Sequence, residues 1–227
     1  MFGRVFVVFS ALLVGGGALA ACGDDGGGGS ADDAFCQARF SVETATGGGD
    51  EADLDQALSD LETEAPSDIE DDVAFVSDTF REEGNKAFRS EEFVEALASV
   101  DEYVIDNCDV ERMDVTGLEY SFEGIPDELE AGQVGIVFDN EGEEAHELLI
   151  VRFNDDTTET LEDIVQLRER EARELVTDAA GTFAEPGDTS RTFADLEPGR
   201  YGAVCFVPTP DGVPHAHEGM IAEFEVT

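Results

Sequence analysis

Near Met113 the hydrophobic pattern of this chain changes its period, and that change divides 227 residues into two parts that must fold by different rules. From Asp32 to Asp109 apolar residues recur at helical spacing, with Leu54, Ala57, Leu58 and Leu61 marking one face of a short helix. Ala65-Pro66 interrupts it. Ser67 followed by Glu70 has the form of a capping box opening a helix that carries Ile69, Val73, Val76 and Phe80. A last helix starts at about Glu91 and turns Phe93, Ala96, Leu97, Val100 and Val104 inward. With a first helix around residues 35–42, the prediction for residues 32–112 is a four-helix, up-and-down bundle.

Residues 113–227 instead show short alternating runs separated by Gly and Pro, which predicts a β-sandwich. The clearest strands are 115–122, 133–138, 148–153, 201–207 and 221–226. Glu197-Pro198-Gly199-Arg200 has the Pro-Gly order of a type II turn feeding the strand that leads to Cys205. One helical insertion is expected over about 159–178, with Leu161, Ile164, Val165, Leu175 and Val176 packed on the sandwich. Its Arg168, Arg170 and Arg173, set among glutamates, read as a solvated face. The fold class is therefore multi-domain α and β.

Residues 1–21 hold one charge, Arg4, then an apolar run over 5–13 and small residues over 14–21, the order of a secretory signal. The apolar run is far short of the roughly 20 residues that a bilayer span needs. Its end, Leu19-Ala20-Ala21-Cys22, resembles the lipobox of bacterial lipoproteins. That resemblance implies acylation of Cys22, with palmitate or a similar chain, and anchoring at the extracytoplasmic face of the cell membrane. Residues 22–31, rich in Gly and Asp, read as a flexible tether.

An exported chain meets an oxidising compartment. Cys36 lies on the first predicted helix and Cys108 at the end of the last, ends that neighbour each other in an up-and-down bundle, so the two are expected to form a disulfide. Closing a loop of that length stabilises a domain by roughly 4 kcal/mol on the chain-entropy model. The formal net charge of −43 argues against nucleic acid as a partner, since every phosphate contact would begin with repulsion. The acidic residues of the helical part show no Asp-x-Asp-x-Asp-Gly calcium loop and read as a solvated face.

All three histidines, His146, His215 and His217, fall in the β part, together with Cys205 and Met220. Cys205 ends a predicted strand, His215 follows ten residues on, and Met220 five after that; His146 immediately precedes another strand, behind an Asn140-x-Gly142 turn. One thiolate, two imidazoles and a thioether form the ligand set of a blue copper site. On His146-Glu147-Leu148 and Cys205-x9-His215-x4-Met220, residues 115–227 resemble the cupredoxins, the plastocyanin and azurin family. The resemblance implies a Greek-key sandwich and one type 1 copper held by His146, Cys205, His215 and Met220, with His217 as the alternative to His215. Two departures stand out. The segment 206–214 is longer than in plastocyanin and carries Pro208, Pro210 and Pro214. Position 147 is Glu, where small family members often carry an Asn that braces the ligand loop.

Cys205 is then an odd thiol in an exported chain, because Cys22 takes lipid and Cys36 pairs with Cys108. The expected function is one-electron transfer rather than catalysis, since three histidines cannot supply a trinuclear or second catalytic copper centre beside the first. No small-molecule substrate is evident, and a redox protein with a basic docking face is the expected partner. Copper capture and delivery, or a metal-free surface interaction module, are the other classes. A chain with only Met113 and Met220 beyond the signal lacks the Met-rich runs that copper carriers commonly use.

Overall fold

The computed structural model describes residues 31–48 and 51–227. The expected signal segment, the tether up to Ser30 and the acylation site Cys22 lie outside those residues. Four α-helices come first: α1 (Ala31–Gly48), α2 (Glu51–Thr63), α3 (Glu70–Glu83) and α4 (Glu91–Asn107), with a 3-10 segment (Gly84–Arg89) before the last. Each packs on the next, and α4 returns to α1. A disulfide joins Cys36 on α1 to Cys108 just past α4, closing a separation of 72 residues. The capping box does not form. The Ile69 amide bonds back to the Pro66 carbonyl at 3.0 Å, so residues 66–69 make a turn, and α3 starts behind Ile69 without a side-chain cap. The side-chain cap appears at α4, where the Phe93 amide donates to Ser90 Oγ.

The strands are β1 (Glu111–Leu118), β2 (Ser121–Glu123), β3 (Glu128–Leu129), β4 (Gly132–Asn140), β5 (His146–Phe153), β6 (Val176–Ala184), β7 (Thr189–Leu196), β8 (Gly199–Val204) and β9 (Ile221–Val226). One sheet has the order β2-β1-β4-β7 and the other β3-β9-β8-β5-β6. β1 runs parallel to β4 and β3 parallel to β9; the other pairs are antiparallel. The chain changes sheet on either side of β3, between β4 and β5, between β6 and β7, and again between β7 and β8, which gives the Greek-key sandwich. Period-two alternation fills its core: Val134, Ile136 and Phe138 of β4 meet Leu148, Ile150, Ala203 and Phe224 from the opposite sheet.

The other face of β4 and β7 is covered by the helices. Val137 and Phe193 share one buried cluster with Phe35, Ala38, Val100, Val104 and Ile105. A Cβ at Gly135 would come within 2.8 Å of Ile105, so bare backbone lets α4 approach the sheet. Inside this layer Arg39 Nε donates to Asp101 Oδ1 at 2.9 Å, and its guanidinium stacks 4.9 Å from the Phe193 ring centroid. The helical region is thus fused to the sandwich through a common apolar layer.

Three strand and helix expectations are corrected. The run 115–122 is not one strand but a β1–β2 hairpin folded at Glu119-Tyr120, with Thr116 opposite Glu123. The strand through 201–207 stops at Val204. The insertion is two single turns, α5 (Leu161–Ile164) and α6 (Glu169–Ala172), because Val176 joins β6 and pairs with Phe153. Its apolar residues still pack where expected, with Leu161, Ile164 and Val165 buried against Val151, Phe153 and Val204.

Candidate metal centre

Two loops at one end of the sandwich bring the rare residues together. His146 opens β5, Cys205 immediately follows β8, and His215 opens α7 (His215–Glu218), a single turn between β8 and β9. All three are 0 % exposed, and their donor atoms lie within 4.8 Å of one another. His146 Nδ1 is 3.0 Å from His215 Nδ1, and Cys205 Sγ is 3.4 Å from His215 Nδ1. Met220 is also fully buried. Its amide donates to the His215 carbonyl at 3.0 Å, and its carbonyl accepts from the Cys205 amide at 3.3 Å. Gly219, with φ of 113°, ends α7 in the left-handed region and returns the chain to β9.

His217 stands apart. Its Nε2 lies 2.9 Å from the Val165 carbonyl, on the side of the helical insertion. The structure therefore brings His215, and not the alternative His217, to the cluster.

The long ligand loop is internally braced. Pro208 and Pro214 flank a β-bridge, the Thr209 amide donates to the Val213 carbonyl, and the His215 amide donates to the Val207 carbonyl. Glu147 does the fastening expected of an Asn. Its amide donates to Cys205 Sγ at 3.4 Å, and its Oε1 accepts the Phe206 amide at 2.7 Å. Behind His146, Asn140 Nδ2 donates to the Glu144 and Ala184 carbonyls, while Asn140 Oδ1 accepts from the Gly142 amide.

Glu119, Tyr120 and Glu144 complete the surroundings and were not legible from sequence. His215 Nε2 lies 2.9 Å from Glu144 Oε2, and His146 Nε2 lies 3.5 Å from Glu119 Oε1. The Tyr120 ring packs on His215 with centroids 4.7 Å apart, and its hydroxyl donates to Glu144 Oε1 at 3.4 Å. Nothing distinguishes Glu119 and Glu144 among 55 acidic residues.

Burial pushes the Cys205 thiol above its ordinary range, against the pull of the Glu147 and Val207 amides. Burial and the facing His215 ring hold His146 below the usual imidazole range. The Glu119 carboxyl is driven up by desolvation but held below its ordinary value by the amides of Glu144 and Glu143.

The donor set fits a soft-to-borderline metal ion. A carboxylate accepts only, so Glu144 places the proton of His215 on Nε2 and turns the Nδ1 lone pair inward. His146 Nε2 is buried without a hydrogen-bond partner, and the carboxylate facing it favours the same tautomer. With both rings protonated on Nε2, two inward lone pairs would face each other at 3.0 Å, an arrangement that a cation between them relieves. Desolvation opposes relieving it by protonating His146. A thiol beside two such nitrogens is the mixture that copper prefers.

No protein-family model and no curated protein matches this chain. Among solved structures it is similar to dithionite-reduced auracyanin from Roseiflexus castenholzii, at 19% identity over 51% of this chain and 96% of that one, with a TM-score of 0.38. Auracyanin A, a "blue" copper protein from Chloroflexus aurantiacus, matches at 19% identity over 51% and 98%, with a TM-score of 0.34. Rusticyanin from Thiobacillus ferrooxidans matches at 18% identity over 52% and 78%, also with a TM-score of 0.34. By its own sheet order, and by the convergence of one thiol and two imidazoles at the strand ends, the second half of the chain is a cupredoxin-like sandwich.

Proposed function

We propose that this chain is a one-electron carrier built around a single type 1 copper. The observation that carries this reading is the buried convergence of His146 Nδ1, Cys205 Sγ and His215 Nδ1. Those three atoms would be the equatorial donors, and Met220 the weak axial one. Copper bound there supplies the one-electron couple. The chain's own residues do the rest. Complete burial of His146, Cys205 and His215 excludes water from the donors. The Glu147 bonds to Cys205 and Phe206 hold the sulfur and its loop in place, which keeps the site from rearranging between oxidation states. Titration of metal-free protein with Cu(II) should saturate at one ion per chain, with an intense visible thiolate-to-copper band and a type 1 EPR spectrum. Reduction should bleach the band and reoxidation restore it. Failure to take up copper would overturn the reading.

We place the protein at the outer face of a membrane, held by lipid on Cys22, with a redox partner that offers a basic face to the net charge of −43. Leu19-Ala20-Ala21-Cys22 supports this, as does the Cys36–Cys108 disulfide, a bond that persists in oxidising compartments. Cys22→Ser should shift the protein from the membrane fraction to the soluble one; an unchanged distribution would count against the anchor.

A further inference from the structure

Both cluster imidazoles are backed by a carboxylate. Glu144 Oε2 lies 2.9 Å from His215 Nε2, and Glu119 Oε1 lies 3.5 Å from His146 Nε2. Neither carboxylate is free to wander. Glu144 also receives the Tyr120 hydroxyl, and Glu119 Oε1 accepts the Glu144 amide at 2.9 Å as well as the Glu143 amide. The two clasps therefore interlock, since the backbone of Glu144 holds Glu119 while its side chain holds His215. Space has been cleared for them. A Cβ on Gly142 would come within 2.4 Å of Glu119 Oε1 and 2.8 Å of His146 Nε2.

We propose that Glu144 is a positioning residue that fixes His215 in the Nε2–H tautomer, and that it and the Glu119 charge facing His146 bias the site toward the oxidised ion. The proposal rests on the copper reading above. A carboxylate that accepts the outer N–H makes the ring a stronger donor through its inner nitrogen. A stronger donor, with added negative charge behind it, favours Cu(II) over Cu(I) and lowers the reduction potential. Glu144 makes the shorter contact and carries the larger share.

The test compares Glu144→Gln with Glu143→Gln, which removes a charge from the same turn at an exposed side chain. Glu144→Gln keeps an amide oxygen that can still accept from His215, so the fold is expected to hold. Its Cu(II) affinity should fall about 10-fold or more, as with other partners of metal-ligating histidines. Cu(I) affinity should fall less, so the potential rises. Glu143→Gln should move the potential much less. Equal shifts in both variants would reduce the effect to bulk charge and overturn the proposal, as would no shift in Glu144→Gln. A second readout needs no metal. Nitrogen NMR of the copper-free protein should show His215 as the Nε2–H tautomer, with Glu144→Ala giving a mixture; an unchanged tautomer would overturn the positioning role. Wild-type protein that ignores copper yet shows this tautomer shift would sink the electron-carrier reading and leave the clasp standing.

Discussion

Cys205→Ser protein titrated with Cu(II) is expected to show no intense visible band and no type 1 EPR signal. The band needs a thiolate whose filled sulfur orbitals lie close in energy to the half-filled copper orbital, and a hydroxyl oxygen is too hard and too weakly acidic to replace it. The remaining imidazoles of His146 and His215, 3.0 Å apart at Nδ1, would hold Cu(II) weakly in a tetragonal environment with a pale spectrum. Serine fits the space, and its oxygen can still accept the Glu147 amide that now meets Sγ, so circular dichroism should report an intact sandwich. His217→Ala is the matched control. Its ring bonds to the Val165 carbonyl outside the cluster, and the band should survive its removal. An unchanged band in Cys205→Ser would refute the ligand assignment outright.

The second large effect lies in the layer between the helices and the sheet. Asp101→Ala is expected to cost about 4 kcal/mol, because removing one partner of a buried ion pair strands the other. Asp101 and Arg39 are almost wholly enclosed, at 2 % and 6 % exposure. Burial pushes the Asp101 carboxyl up, against the pull of Arg39, while Asp101 and Glu43 hold the guanidinium charged despite its own desolvation. With Asp101 gone, Arg39 keeps only Glu43, at 3.1 Å, and the face of Phe193. For a chain of this size the melting temperature should drop on the order of 10 °C. The copper band should persist below that temperature, since neither residue borders His146, Cys205 or His215. A loss below 1 kcal/mol, measured by urea denaturation, would show that water reaches the pair.

The candidate ligands were readable because their residue types are scarce. With three histidines and, among the described residues, one thiol left after the disulfide, few combinations could build a site, and strand-end positions narrowed them further. The helices were readable because Leu58, Leu61, Val73, Val100 and Val104 keep one apolar face. Strands β6 and β7 were not. β6 is an edge strand, mostly exposed and rich in Thr, Ala and Gly, so its pairing with β5 rather than its own pattern makes it a strand. That pairing also took Val176 away from the expected long helix and left two single turns. Burial on both sides hides the alternation of β4, because Val137 serves the helical layer while Ile136 and Phe138 serve the sandwich core. Glu119 and Glu144 gain their meaning from a hairpin fold at residues 119–120 and a turn at 140–146 that meet only in three dimensions.

The shared layer beneath Phe193 and Val137 makes the two halves of the chain inseparable in practice. A fragment trimmed to begin at the first strand would bare a greasy plain where α1 and α4 had lain, and would stick to its own copies. Because His146, Cys205 and His215 converge at the loop end of the sandwich, the electron transfer proposed above would have to use that end.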